Sequence, residues 1–251
     1  GGLLQVCTVM EFCRSGDLAA HLIQLKAGGD RVDENRGKGW MYQLCDALAY
    51  LHSRQIVHRD LKPANVFLHL ISRTDMALKV GDFGLSATLE AGKRTSRVGT
   101  PCYLAPEILF NEEYGERVDI WGAGCIFYEM LTLDFLWERR GMLGAMVQNE
   151  PMTPSSLPAR LSHDLRSMVA ACLAFKGARR PSARILCEGI KGLSHGKPFA
   201  FDAHFGPTVA GSDLDWAAPI LSLFNPFSDS IQSGVSQGLG QLSIGNMFST
   251  P

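Results

Sequence analysis

The sequence predicts a mainly α domain with short β-strands, an α+β fold, over residues 1–192, followed by a chemically different tail over 193–251. Three observations carry that prediction. "GWMYQLCDALAYLHS" sets Trp40, Leu44, Leu48 and Leu51 at helical spacing, the mark of an amphipathic helix. "VDIWGAGCIFYEML" is apolar nearly all round, which predicts a helix buried at the centre of the fold. The runs on either side of "HRDLKPAN" are short and rich in β-branched residues, and Pro63 forbids one continuous helix through them.

In chain order, "LLQVCTVMEF" reads as a short buried strand. "CRSGDLAAHL" turns at Ser15-Gly16 and starts a helix near Asp17. The amphipathic helix follows. "IVHRDLKPANVFLHL" is strand, polar loop, strand, and "ALKVGDFGLS" is a further short strand ending in a Gly-bounded loop. The longer connection in "FLHLISRTDMALKV" predicts an exposed loop between two strands. After Ala105-Pro106-Glu107 the chain turns helical, through the apolar central helix to "SHDLRSMVAACLAF", with Leu165, Met168, Val169 and Cys172 on one stripe and Ser162 as N-cap. Ser182 caps a last helix through about Ile190. Beyond residue 192, Gly, Ser, Phe and Leu dominate and only Lys197, Asp202, Asp213, Asp215 and Asp229 are charged. That composition predicts a mostly disordered tail, with "DLDWAAPILSLFNPF" the alternative as a docking segment.

The net charge of −1 predicts no field for nucleic acid or an acidic membrane, so neither is expected as a partner. Seven scattered Cys with no C-x-x-C pair argue against a disulfide framework or a zinc site. They suit a reducing, intracellular and cytoplasmic setting in which most Cys are small buried hydrophobes. No secretory signal is visible, and no 18 apolar residues run together, so no membrane span is expected. The chain opens Gly-Gly without an initiator Met, which leads us to expect that it begins partway through a longer polypeptide.

Two stretches concentrate the chemistry. Asp60, Lys62 and Asn65 share one loop held between strands, and Asp82 opens the loop after the neighbouring strand. Phosphoryl transfer asks a protein for positioning and charge neutralisation rather than covalent chemistry. One carboxylate must face the attacking hydroxyl, a cation must steady the departing charge, and a second carboxylate with an amide oxygen suits Mg²⁺, which takes hard oxygen ligands.

The set His58-Arg59-Asp60-Leu61-Lys62-Pro63-Ala64-Asn65, Asp82-Phe83-Gly84 and Ala105-Pro106-Glu107 resembles, in order and separation, the eukaryotic protein-kinase motifs H-R-D-L-x-x-x-N, D-F-G and A-P-E. The wording "HRDLKPANVFL", "KVGDFGLS" and "VGTPCYLAPEIL" looks closest to the NIMA-related group. The resemblance implies the large, C-terminal lobe of a Ser/Thr protein kinase, using ATP and Mg²⁺ to phosphorylate Ser or Thr of a protein substrate. It implies Asp60 as catalytic base, Lys62 and Thr100 beside it, and Asn65 and Asp82 as the Mg²⁺ ligands. Arg59 would meet a phosphate on the activation segment, His58 would stack on Phe83, Glu107 would pair with Arg180, and Asp119 would anchor the catalytic loop. Met10 would be the gatekeeper of a hinge in which Glu11, Phe12 and Cys13 offer backbone groups to adenine, with Asp17 near the ribose and Phe67 beneath the base. Cys13 and Asp17 read equally as a turn residue and a helix cap, and Phe67 as strand core. Thr95 and Ser96, between Arg94 and Arg97, are candidate sites for an upstream activating kinase; a solvated loop is the alternative.

The resemblance covers residues 3–192. The Gly-rich phosphate loop, the strand Lys and the helix Glu that kinases carry before the hinge have no counterpart in this sequence, so we expect a kinase domain whose small lobe is missing and whose 251 residues alone transfer little phosphate. A non-catalytic kinase-like binding module or scaffold is the alternative. "LAFKGARRPSA" also departs from the family by placing Lys176-Gly177 where an acidic residue is common.

Overall fold

A computed structural model describes residues 7, 9–72, 75–88, 99–136 and 152–197. Six α-helices and four short strands are described. Helix α1 (Leu18–Gly28) opens on Asp17, whose carboxylate accepts from the Ala20 N–H and so satisfies a donor the helix cannot. Helix α2 (Glu34–Ser53) is capped in the same way by Asp33 and buries Trp40, Leu44, Leu48 and Leu51, the stripe that predicted it. Strand β1 (Ile56–Val57) leads into the polar loop, and β2 (Val66–Leu70) and β3 (Met76–Val80) form an antiparallel hairpin. Strand β4 (Ala87–Thr88) pairs antiparallel with β1.

Helix α3 (Pro106–Leu109) precedes α4 (Arg117–Thr132), the central helix, which buries Val118 through Phe127 without a break. Helices α5 (His163–Cys172) and α6 (Ala183–Ser194) start at the expected caps, Ser162 and Ser182. Helix α6 runs to Ser194 rather than about Ile190, because neither Gly189 nor Gly192 breaks a helix whose apolar face is already packed against α2. The core lies where α2, α4, α5 and α6 meet, around Met41, Leu44, Trp121, Phe127 and Met168. Among the cysteines, Cys45, Cys125, Cys172 and Cys187 are buried, and burial raises the thiol pKa of three of them, to about 12 for Cys172 and about 11 for Cys187. No described helix is long and apolar enough to cross a membrane.

One expectation fails over the described residues. Of the opening segment, Cys7 and Val9–Cys13 carry no strand structure, and Val9 is 97% exposed; the rest of the expected strand lies outside the described residues. A strand is made by its neighbour, and among the described residues no strand pairs with this one. The tail from 198 onward, and Thr95 and Ser96, lie outside the described residues.

Candidate active site

The loop between β1 and β2 is held from below by Asp119, on the first turn of α4. Its two carboxylate oxygens accept the backbone N–H of His58 and of Arg59, each at 2.9 Å, and one also meets His52 Nε2 at 2.8 Å. Asp119 is buried, so the bonds act where water competes least. They hold Arg59 at φ +71°, a left-handed conformation that costs a non-glycine residue on the order of 1–3 kcal/mol. That turn aims the next residue, Asp60, upward. Gly122 on α4 allows the close approach, since a Cβ there would lie 2.9 Å from Leu61 Cβ.

Asp60 is the hub. Its Oδ1 accepts from the Thr100 N–H and hydroxyl, both at 2.7 Å, and its Oδ2 accepts from Lys62 Nζ at 2.8 Å and Asn65 Nδ2 at 3.1 Å. Lys62 also reaches Thr100 Oγ1 at 2.6 Å, and Asn65 Nδ2 donates to the Asp60 carbonyl at 2.8 Å. Burial pushes the Asp60 carboxyl up, but the Lys62 ammonium and the Thr100 donors outweigh it and hold the pKa below its ordinary value. The group is therefore an ionised carboxylate that accepts a hydroxyl hydrogen bond, here from Thr100. Thr100 reaches it because Gly99, at φ +116°, passes so close that a Cβ there would lie 2.6 Å from the Arg59 carbonyl oxygen.

Four predicted residues, Asp60, Lys62, Asn65 and Thr100, thus form one hydrogen-bonded cluster. Asp82 lies beside it through the backbone: Gly81 N–H donates to the Asn65 carbonyl at 3.0 Å, and the Gly81 carbonyl meets His58 Nε2 at 3.0 Å. Asp82 sits exposed at φ +60°, with one carboxylate oxygen accepting from Gly84 N–H. The same turn puts Phe83 against His58, centroids 5.2 Å apart, although Phe83 remains 47% exposed. Arg59 donates to the Leu85 and Ser86 carbonyls and to the Tyr114 hydroxyl.

The expected support for the segment after Thr100 is present. Arg180, fully buried, meets Glu107 through two parallel bonds of 2.7 and 2.8 Å. Its remaining donors go to the carbonyls of Ala174, Arg117 and Phe175, and its guanidinium lies 5.0 Å from the Trp121 ring centroid. Gly177, of the Lys176-Gly177 pair, sits against this ion pair: a Cβ there would lie 3.1 Å from Glu107 Oε1.

The hinge residues are arranged differently. Met10 is 65% exposed and Phe12 81%. Asp17 spends its carboxylate on the α1 cap, the second of its two readings, while its backbone bridges to Phe67 on β2. Phe67 is half-buried, on the opposite face of β2 from the buried Val66 and Leu68. Glu11 is gripped by Lys79, whose Nζ donates to both carboxylate oxygens at 2.6 and 2.5 Å, and His69 Nδ1 lies 3.4 Å from one of them. Sequence reasoning missed Lys79, His69 and the His52 contact to Asp119; all three come from elements distant in the chain, and no spacing signals them.

A family model described as protein kinase domain matches residues 4–189. The chain is similar to serine/threonine-protein kinase Nek1 of Mus musculus, 34% identical over 182 residues, and to Nek4 of the same organism, 36% identical over 185 residues. It is similar also to Nek3 of Oryza sativa subsp. japonica, 34% identical over 198 residues. These matches cover 72%, 73% and 78% of this chain but only 15%, 22% and 32% of the respective relatives, so the chain spans at most about a third of their length. With the His58–Asn65, Asp82–Gly84 and Ala105–Glu107 segments in the family's order and the model matched over most of its length, the chain belongs to the protein kinase domain family.

Proposed function

We propose that this chain carries the catalytic large lobe of a serine/threonine protein kinase of the NIMA-related type, transferring the γ-phosphoryl group of ATP to Ser or Thr hydroxyls of a protein. The observation that carries the reading is the Asp60 carboxylate, ionised and already accepting a hydroxyl, that of Thr100, at 2.7 Å. A substrate hydroxyl presented to the same carboxylate would be oriented for attack and could pass it a proton. Lys62, bonded to Asp60 and Thr100, supplies positive charge beside the transferring group.

The donor set fits Mg²⁺. Asn65 spends its amide nitrogen on Asp60 and keeps its oxygen, and Asp82 keeps one carboxylate oxygen beyond its bond to Gly84. Both are hard oxygen donors, and Mg²⁺ held there would neutralise phosphate charge. Met10, Glu11, Phe12 and Cys13 would line the adenine edge, Asp17 the ribose and Phe67 the floor. The exposure of Met10, Phe12 and Phe83 supports a further layer, the kinase small lobe, closing over this face.

The test is transfer of radiolabelled γ-phosphate to a generic Ser/Thr substrate by the longest form of the polypeptide. We expect Mg²⁺-dependent transfer that falls at least ~10²-fold in Asp60→Asn. Unchanged turnover in that variant would remove the mechanism. The 251 residues alone should transfer little. The open hinge face favours one other reading, a non-catalytic binding module; its signature is partner binding by the longest form that is indifferent to ATP and to Asp60→Asn.

A further inference from the structure

A second group of metal-ligating side chains lies outside the Asp60 cluster. The turn Cys13–Gly16, closed by a bond from Gly16 N–H to the Cys13 carbonyl, docks on β2 through Leu68 N–H donating to the Gly16 carbonyl at 2.9 Å. On β2 the residues facing that turn are Phe67 and His69, because Val66 and Leu68 point into the core. Across the hairpin Phe67 is opposite Lys79 and His69 opposite Ala77, whose small side chain leaves the imidazole room to move. Glu11, Cys13 and His69 therefore converge, and one donor atom of each lies within 4.8 Å of the others. Spacing along the chain gives no hint of this, since the third ligand comes from another element.

We propose that Glu11, Cys13 and His69 form a three-ligand site for a borderline divalent cation, zinc, with the fourth position left to water. A carboxylate oxygen, a thiolate and an imidazole nitrogen are the ligand types zinc takes, and the thiolate is a poor match for Mg²⁺ or Ca²⁺. Binding releases the Cys13 thiol proton to solvent and forms a sulfur–zinc bond. Lys79 competes, since its ammonium holds both Glu11 oxygens and must yield one. An ion there would clasp the hinge segment to β2.

Cobalt(II) is the probe, read by its thiolate charge-transfer absorption in the 251-residue chain. The native chain should show the band, and equimolar Zn²⁺ should bleach it while excess Mg²⁺ does not. Cys13→Ser should abolish the band and His69→Ala should weaken binding at least ~10-fold. Lys79→Met should tighten it, a gain that misfolding cannot produce. Cys7→Ser and Cys102→Ser, at the two exposed thiols, should change nothing. The absence of a band, a band that survives Cys13→Ser, or binding that Lys79→Met fails to tighten would overturn the site.

Discussion

The catalytic loop and the hinge are held by opposite means. The groups that aim Asp60 are themselves buried or anchored: the Asp119 carboxylate below, the Asn65 and Lys62 side chains beside, and the Thr100 hydroxyl and N–H above. The hinge is held at its rim, by the exposed pair of Glu11 with Lys79 and a turn docked on β2, while Phe12 points away from the body of the fold. The difference locates rigidity. The groups proposed to handle a proton are preorganised within this chain, while those proposed to meet the nucleotide base leave apolar surface open for something else to cover.

The sharpest way to break that contrast is at the base of the rigid side. Arg180→Ala would leave Glu107 buried without its cation and three carbonyls without their donor. Removing one partner of a buried pair costs about 3–5 kcal/mol, far more than the net worth of the pair. Urea unfolding of the variant should show that loss. A loss below about 1 kcal/mol would mean that the segment after Thr100 is not held from beneath, and that the Asp60 cluster is no more anchored than the hinge.

The rigid side is also the part the sequence made legible, and for a reason. Asp17, Ser162 and Ser182 were readable as caps because a capping bond closes within three residues. Trp40, Leu44, Leu48 and Leu51 were readable because helical periodicity is local. The polar cluster was readable because Asp60, Lys62 and Asn65 sit within six residues and resemble a known motif. Cys7 and Val9–Phe12 misled because "LLQVCTVMEF" has strand composition, and composition does not supply a partner. His69 and Lys79 were invisible: their meeting with Glu11 depends on hairpin register and on where the Cys13–Gly16 turn lands.

A smaller effect separates the two sides by pH. The Asp60 carboxyl is held below its ordinary value, so it adds stability that is fully present above the unfolded value of about 3.9 and is lost as pH falls through the folded one. Asp60→Asn removes that contribution at every pH. The stability gap between parent and variant should be constant from pH 7 down to about pH 4 and shrink below it, as read from urea midpoints. A gap that stays constant down to the acid transition would mean that Lys62 and Thr100 do not stabilise the charged form.

The smallest expected effect is at the hinge. Phe12 is 81% exposed, so replacing it with Ser removes little buried area and leaves no polar group stranded. Substitutions at such positions fall within about 0.5 kcal/mol. Phe12→Ser in the 251-residue chain should therefore leave the urea midpoint nearly unchanged while reducing self-association, because it removes an apolar side chain from an open face. In the longest form of the polypeptide the same substitution should cost more if a further layer covers the hinge, since burying an aromatic ring is worth about 1.5–3 kcal/mol. Equal and small losses in both forms would mean that Phe12 stays in water throughout, and the proposed closure over the adenine edge would have to pass it by.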